Sequence, residues 1–233
     1  MTLSCTTKRA RRVGAGFSVT ELAVVLAVSG ILMGGIWVMV RSVWEYYERQ
    51  HAVEEVANIV ANVRSYYTGQ IGIPHSGDAT TTSNLIKMGI IPGSVQRSNT
   101  GTCTNPSNLC ADTPWGEVHN GAIDAGGTLR VCDWVMGTST ACPTAASGGT
   151  AGPFFAVALR GLTTGACISV AQKIATTAGA TGLVEVNING TNLVQSGKGI
   201  NPMAAADANT NCIATASGAA IVTFVFRLTQ ASY

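Results

Sequence analysis

No proline occurs between Phe17 and Thr68, and no charged side chain between Leu22 and Val40. The first absence removes the strongest helix breaker from roughly 52 residues. The second leaves nineteen consecutive uncharged, mostly apolar positions. Other absences exclude chemistry. No histidine among His51, His75 and His119 has a second histidine four residues on or an acidic neighbour in a ligand pattern. Gly-x-Ser-x-Gly is missing, so the common hydrolase elbow is excluded. The glycine pairs Gly126-Gly127 and Gly148-Gly149 lack a phosphate-binding lysine. No Cys-x-x-Cys is present for a metal. Asp112, Asp124 and Asp133 stand apart and read as turn or surface residues. No basic stripe follows Arg41, so no nucleic-acid partner is expected. No internal repeat is visible. The sequence therefore predicts no catalytic residue, no metal and no cofactor.

What is there begins with a basic leader, Lys8, Arg9, Arg11 and Arg12, running into Gly14-Ala15-Gly16-Phe17. The uncharged stretch follows from Leu22 to Val40, closed by Arg41. As a helix it would cover about 28 Å, close to the hydrocarbon thickness of a bilayer. A secretory signal peptide places its small residues after the apolar core, whereas here they precede it. Cleavage after Gly16 would therefore remove the charges and keep the helix. The bland alternative is an anchor that is never processed. The basic residues hold the N-terminus in the cytoplasm and send the rest of the chain outward. Loss of residues 1–16 would leave ten basic against twelve acidic side chains, so the basicity belongs to the leader.

Cys5 lies in the leader, and the other six cysteines lie in the segment predicted to be exported. Six cysteines outside the cytoplasm read as three disulfides, with fifteen pairings open in principle. Short loops favour Cys103–Cys110 and Cys132–Cys142, which leaves Cys167–Cys212; with all six paired, a thiol nucleophile is not expected.

Beyond Arg41, the stripe Tyr47, Ala52, Val56, Ile59, Val60, Val63 and Tyr67 alternates with Glu45, Glu48, Arg49, Glu54, Glu55 and Arg64, as on an amphipathic helix. One helix over 17–68 is predicted, about 78 Å if straight, with Gly69 as its stop and 22–40 as a transmembrane or filament-core portion. Gly30, Gly34 and Gly35 are points where it could bend; Gly30-x-x-x-Gly34 is either a packing patch or ordinary membrane-helix usage. Residues 69–233 read as one head domain. Its predicted parts are a short helix over Asn84–Met88 capped by Thr82 or Ser83, turns at Asn105-Pro106 and Thr113–Gly116, and a strand through Leu129–Val135. A half-buried strand follows at Phe155–Leu159, then a helix over Ala166–Thr176 capped by Thr163 or Thr164. Val184–Ile188 and Leu193-Val194 form a hairpin about Asn189-Gly190, and the last strand is Ala220–Leu228. Asn189-Gly190-Thr191 also fits a glycosylation pattern, but the turn already explains it. The fold class is α+β, a long N-terminal helix packed on a head with a mainly antiparallel sheet.

Glu21 sits at the lip of the apolar run, where a carboxylate needs a partner or a task. Cleavage would create a cation about one turn away, the α-amine of Phe17, in the same chain or in a neighbour packed alongside with an axial stagger. Otherwise Glu21 is solvated in the headgroup zone.

Gly16-Phe17 and Glu21 ahead of this helix resemble the N-terminus of type IV prepilins and pseudopilins. The large head, Gly72-Ile73-Pro74, Ile90-Ile91-Pro92, Thr113-Pro114-Trp115-Gly116 and the late Cys167 and Cys212 look most like type IVb pilins of plasmid-transfer and enteric systems. Phe17 is more typical of type IVa, and the sixteen-residue leader is intermediate in length. The resemblance implies cleavage between Gly16 and Phe17 by a prepilin peptidase, N-methylation of Phe17, and neutralisation of a neighbour's amine by Glu21. It implies an inner-membrane, single-pass precursor with its N-terminus cytoplasmic, an assembly platform, and a homopolymeric extracellular pilus. Such a pilus would act in adhesion, conjugation or cell–cell contact through a host or recipient-cell receptor, with Cys167–Cys212 enclosing a displayed region. The alternatives are a type II secretion pseudopilin, a minor pilin, or an unprocessed membrane-anchored adhesin.

Overall fold

The computed structural model describes residues 18–70, 72–74, 77–97, 103, 109–116, 118–119, 122–123, 127–134, 142, 152–176, 182–195, 203, 205–213 and 219–228. The helices are α1 (Val19–Tyr66), α2 (Asp78–Lys87), α3 (Thr164–Thr176) and α4 (Ala205–Asn211). The strands are β1 (Val118–His119), β2 (Ala122–Ile123), β3 (Leu129–Trp134), β4 (Phe154–Leu162), β5 (Leu183–Ile188), β6 (Thr191–Gln195) and β7 (Ala220–Arg227). β1 and β2 pair by themselves; the other five form one sheet in the order β3-β4-β7-β5-β6, every pair antiparallel. The α+β class is as expected.

The chain divides into two compact units at Trp44–Glu45. In the first, α1 runs unbroken through Gly30, Gly34 and Gly35, and a Cβ at any of the three would meet nothing within 4 Å. In the second, the rest of α1 buries Ala52, Val56, Ile59, Val60 and Val63 in the main core. Tyr47, expected on this stripe, is exposed, whereas Glu55, expected among the solvated charges, is buried. Position 47 precedes the first turn that the core covers. The helix tail is pinned from two sides: Asn62 Nδ2 donates to the Ile90 carbonyl at 2.9 Å, and Arg64 Nε to that of Arg227 at 2.9 Å. Gly69, at φ +83°, turns the chain away.

α2 begins six residues earlier than predicted, at Asp78 rather than Asn84, after Gly77 at φ +78° and without a side-chain cap. Thr82 and Ser83, read as caps, are buried inside it. Thr82 caps the sheet instead. Its hydroxyl accepts from Val131 N at 2.9 Å and donates to the Asp78 carbonyl at 2.7 Å, so α2 closes the edge presented by β3.

The sheet is covered on both faces, which corrects the half-buried reading of β4. Phe155, Val157 and Leu159 face α1 and α3 in the main core. Ala156 and Ala158 belong to a second apolar cluster with Cys132, Trp134, Cys142, Val184 and Val225. Register places Cys132, Ala156, Val225 and Glu185 in one row across this outer face. The small Ala156 leaves room for the Trp134 indole to reach over to β5. The alternation in β4 was one of size, not of polarity.

Thr163 caps α3, its hydroxyl accepting from Ala166 N at 3.3 Å. Ala166, Cys167, Val170, Ala171, Ile174 and Ala175 point inward, while Ile168 is only partly buried. Asn189 (φ 51°) and Gly190 (φ 87°) make the tight turn between β5 and β6. The Asn189 amide is fully engaged: Nδ2 donates to the Asn211 carbonyl at 2.8 Å, and Oδ1 accepts from Ile221 N at 2.9 Å. Those bonds tie the turn both to the end of α4, a helix that the sequence reading did not anticipate, and to β7. Three disulfides join Cys103 to Cys110, Cys132 to Cys142 and Cys167 to Cys212.

Candidate functional site

Apart from half-buried Ser29, every residue of α1 from Leu22 to Val40 is exposed. The helix is long and apolar enough to cross a membrane. Eighteen exposed uncharged residues in water would be an aggregation surface; in lipid or in a bundle of like helices they are matched to their surroundings.

Glu21 lies in the first turn of α1. Its Oε2 accepts from Ser18 N at 3.0 Å and Ser18 Oγ at 3.1 Å, while Glu21 N donates to Ser18 Oγ at 3.2 Å. This is a reciprocal capping box, and it satisfies two N–H groups that the start of a helix leaves free. Ser18-x-x-Glu21 carries that signature in the sequence, and the reading above missed it by treating Glu21 only as a charge. The carboxylate is thus held at the positive end of the helix dipole, on the side where the chain continues to Phe17. Gly16 and Phe17 lie outside the described residues.

The remaining polar residues form structural networks. Asp112, expected to be isolated, accepts from Arg97 at 2.6 and 2.7 Å and from Thr128 N at 2.8 Å. Asp133, also read as a turn or surface residue, is buried in β3. Asp78 is wholly buried and pairs with Arg130 Nη1 at 2.6 Å and Arg160 Nη2 at 3.1 Å. His51 Nδ1 meets Glu55 Oε1 at 3.0 Å; burial raises the Glu55 carboxyl above its ordinary value, with His51 opposing the shift. Among the described residues no group of three or more His, Cys, Asp or Glu could hold a metal. His75, Asp124, Gly126, Gly148 and Gly149 lie outside them.

Glu185 carries a stability consequence. It is buried on the outer face of the sheet, where Trp134 Nε1 donates to Oε2 at 3.4 Å. Burial raises its carboxyl, and the indole bond only partly opposes this. The folded state then holds the proton more tightly than the unfolded chain. Stability contributed here is greatest below the ordinary carboxylate range and falls as pH rises towards the folded value. Glu185→Gln keeps an oxygen for the indole and removes the charge. It is expected to raise the urea midpoint at pH 7 and to leave it nearly unchanged near pH 4; equal midpoints at both pH values would refute this.

A long apolar helix joined to a head with a five-stranded antiparallel sheet is a pilin-like fold, similar over most of the chain to a type IVb pilin. The crystal structure of a type IV b pilin from Salmonella typhi matches with a TM-score of 0.52 and 18% identity, covering 76% of this chain and 99% of that one. TcpA, a type IV pilin from Vibrio cholerae El Tor biotype, aligns at 10% identity and a TM-score of 0.48, over 77% of this chain and 98% of that one. No protein-family model and no curated protein matches the chain.

Proposed function

We propose that the chain is the structural subunit of a type IV pilus, of the type IVb kind, and not an enzyme. The observation that carries this reading is the exposed apolar surface of Leu22–Val40, on the same helix whose later turns are built into a head of type IVb pilin fold. A prepilin peptidase cuts between Gly16 and Phe17, and Phe17 is N-methylated. The leader 1–16 is lost, 17–68 remains as the long helix and 69–233 as the exported head. Before assembly the helix anchors the subunit in the inner membrane with its N-terminus cytoplasmic. An assembly platform then moves it into a homopolymer outside the cell. Oε2 of Glu21 holds the Ser18 cap, and the carboxylate charge meets the Phe17 amine of a neighbouring copy.

Intact mass and N-terminal peptide mapping of a sheared, cell-free filament fraction test the reading. The expected chain begins at methylated Phe17 with six cysteines oxidised. A protein found only in membranes and still carrying Lys8 would make it an unprocessed anchored exodomain. Glu21→Gln separates charge from capping, because glutamine also completes the box. It is expected to leave processing and membrane insertion intact while removing the protein from filaments.

A further inference from the structure

Trp37, Arg41 and Trp44 follow one another at spacings of four and three, and therefore share one face of α1; Tyr47 comes three residues later in the sequence. The three aromatic rings are exposed, Trp44 at 67%, and Tyr46 beside them is exposed as well. Single exposed aromatics need no explanation, but four within eleven residues do, in a chain only 6% aromatic. Indole and phenol join an apolar body to a polar tip, which suits them to the boundary between hydrocarbon and water.

Length agrees. If the uncharged run begins at the inner boundary, Val40 lies about 28 Å along, and Trp44 about 6 Å further. A bilayer has a core of about 30 Å within a total of about 40–45 Å, so Trp44 falls in the headgroup layer and Trp37 just inside the hydrocarbon. Charge agrees too. The leader carries Lys8, Arg9, Arg11 and Arg12, whereas only Arg41 and Arg49 lie close to the other end, so the excess of Lys and Arg is on the leader's side.

We propose that Arg41 and Trp44 dock into the glycerol and headgroup layer of the bilayer at the far end of the span, with Trp37 on the same face just inside the hydrocarbon, and fix the depth at which the subunit waits before assembly. The inference rests on the membrane-anchored state proposed above. Lipid is the occupant because this face continues the exposed surface of Leu22–Val40 without a break. The residue types also change there, from aliphatic to interfacial. In the sequence Arg41 stands between Trp37 and Trp44, the order of a cation flanked by two interfacial aromatics.

The full chain is reconstituted in vesicles of phosphatidylethanolamine and phosphatidylglycerol, doped with lipid spin-labelled either on the headgroup or part-way down an acyl chain. Subtracting the emission of Trp44→Phe from that of the native chain isolates Trp44; Trp37→Phe isolates Trp37 in the same way. Trp115 and Trp134 cancel in both differences. The expected result is loss of most Trp44 emission with the headgroup label, and of most Trp37 emission with the acyl label. Trp37 quenched by the acyl label while Trp44 ignores the headgroup label would overturn the docking proposal alone, as it would if a second copy covered Trp44. Neither residue quenched by either label would overturn the membrane-anchored state itself.

Discussion

Replacing Asp78 with alanine is expected to destabilise the head by about 3–5 kcal/mol, the usual effect of removing one partner from a buried ion pair. The side chain is wholly buried, and one oxygen takes Nη1 of Arg130 and Nη2 of Arg160. Without the carboxylate, two guanidinium groups keep their positive charge in a nearly dry place on the outer face of the sheet. The Arg130 and Arg160 side chains are only 8% and 13% exposed, too little for water to replace the carboxylate in full. At about 2–4 °C per kcal/mol for a domain of this size, the thermal midpoint should fall by about 6–20 °C. Thermal unfolding of the detergent-solubilised chain, followed by near-ultraviolet circular dichroism, measures this. A second variant separates charge from packing. Arg130→Met and Arg160→Met added to Asp78→Ala should recover part of the loss, because a buried ion cluster replaced by apolar groups often costs little. A fall of under about 1 kcal/mol for Asp78→Ala would mean that solvent already screens the cluster, as at an exposed pair.

Opening the Cys167–Cys212 disulfide is the second large effect. It joins the first turns of α3 to the residue after α4, with 45 positions between its ends. In the chain-entropy picture, a loop of that length constrains the unfolded chain by about 4 kcal/mol. The bond between Cys103 and Cys110 spans only 7 positions and should contribute about 1.5 kcal/mol less. The double variants Cys167→Ala/Cys212→Ala and Cys103→Ala/Cys110→Ala, compared by urea denaturation, should therefore rank in that order. Both Cys167 and Cys212 are fully buried in the main core, so their loss also removes packing around Val170 and Ala208. Equal midpoints for the two variants would show that the denatured chain is already confined in this region.

The features legible in the sequence were those set by neighbours within a few residues. A proline-free run with a 3.6-residue stripe gave α1, Asn189-Gly190 gave the hairpin, and Thr163 ahead of an apolar period gave α3. What escaped depended on partners far along the chain. Asp78 lies 52 positions from Arg130 and 82 from Arg160, so nothing local marks it as buried. Thr82 has the chemistry of a cap, but its hydroxyl serves a strand 49 positions away, and the start of α2 was misplaced accordingly. Ala156 and Ala158 alternate with larger residues as if facing water, and only the second apolar cluster shows that they do not. Glu21 failed differently. Its local signal, Ser18 three residues ahead, is legible in the sequence as a capping box, which a reading of its charge alone leaves out.

The sheet order has a consequence for the order of synthesis. β7, the last strand among the described residues, is the middle one of its sheet and lies between β4 and β5. Until Ala220–Arg227 is in place, the other strands of this sheet are two separate pairs facing a gap one strand wide. Phe224 and Phe226, which fill the centre of the main core, arrive at the same moment. The head therefore cannot mature piecemeal from its N-terminal side. A chain that stops before Ala220 would hold no completed sheet, its exposed strand edges open to aggregation.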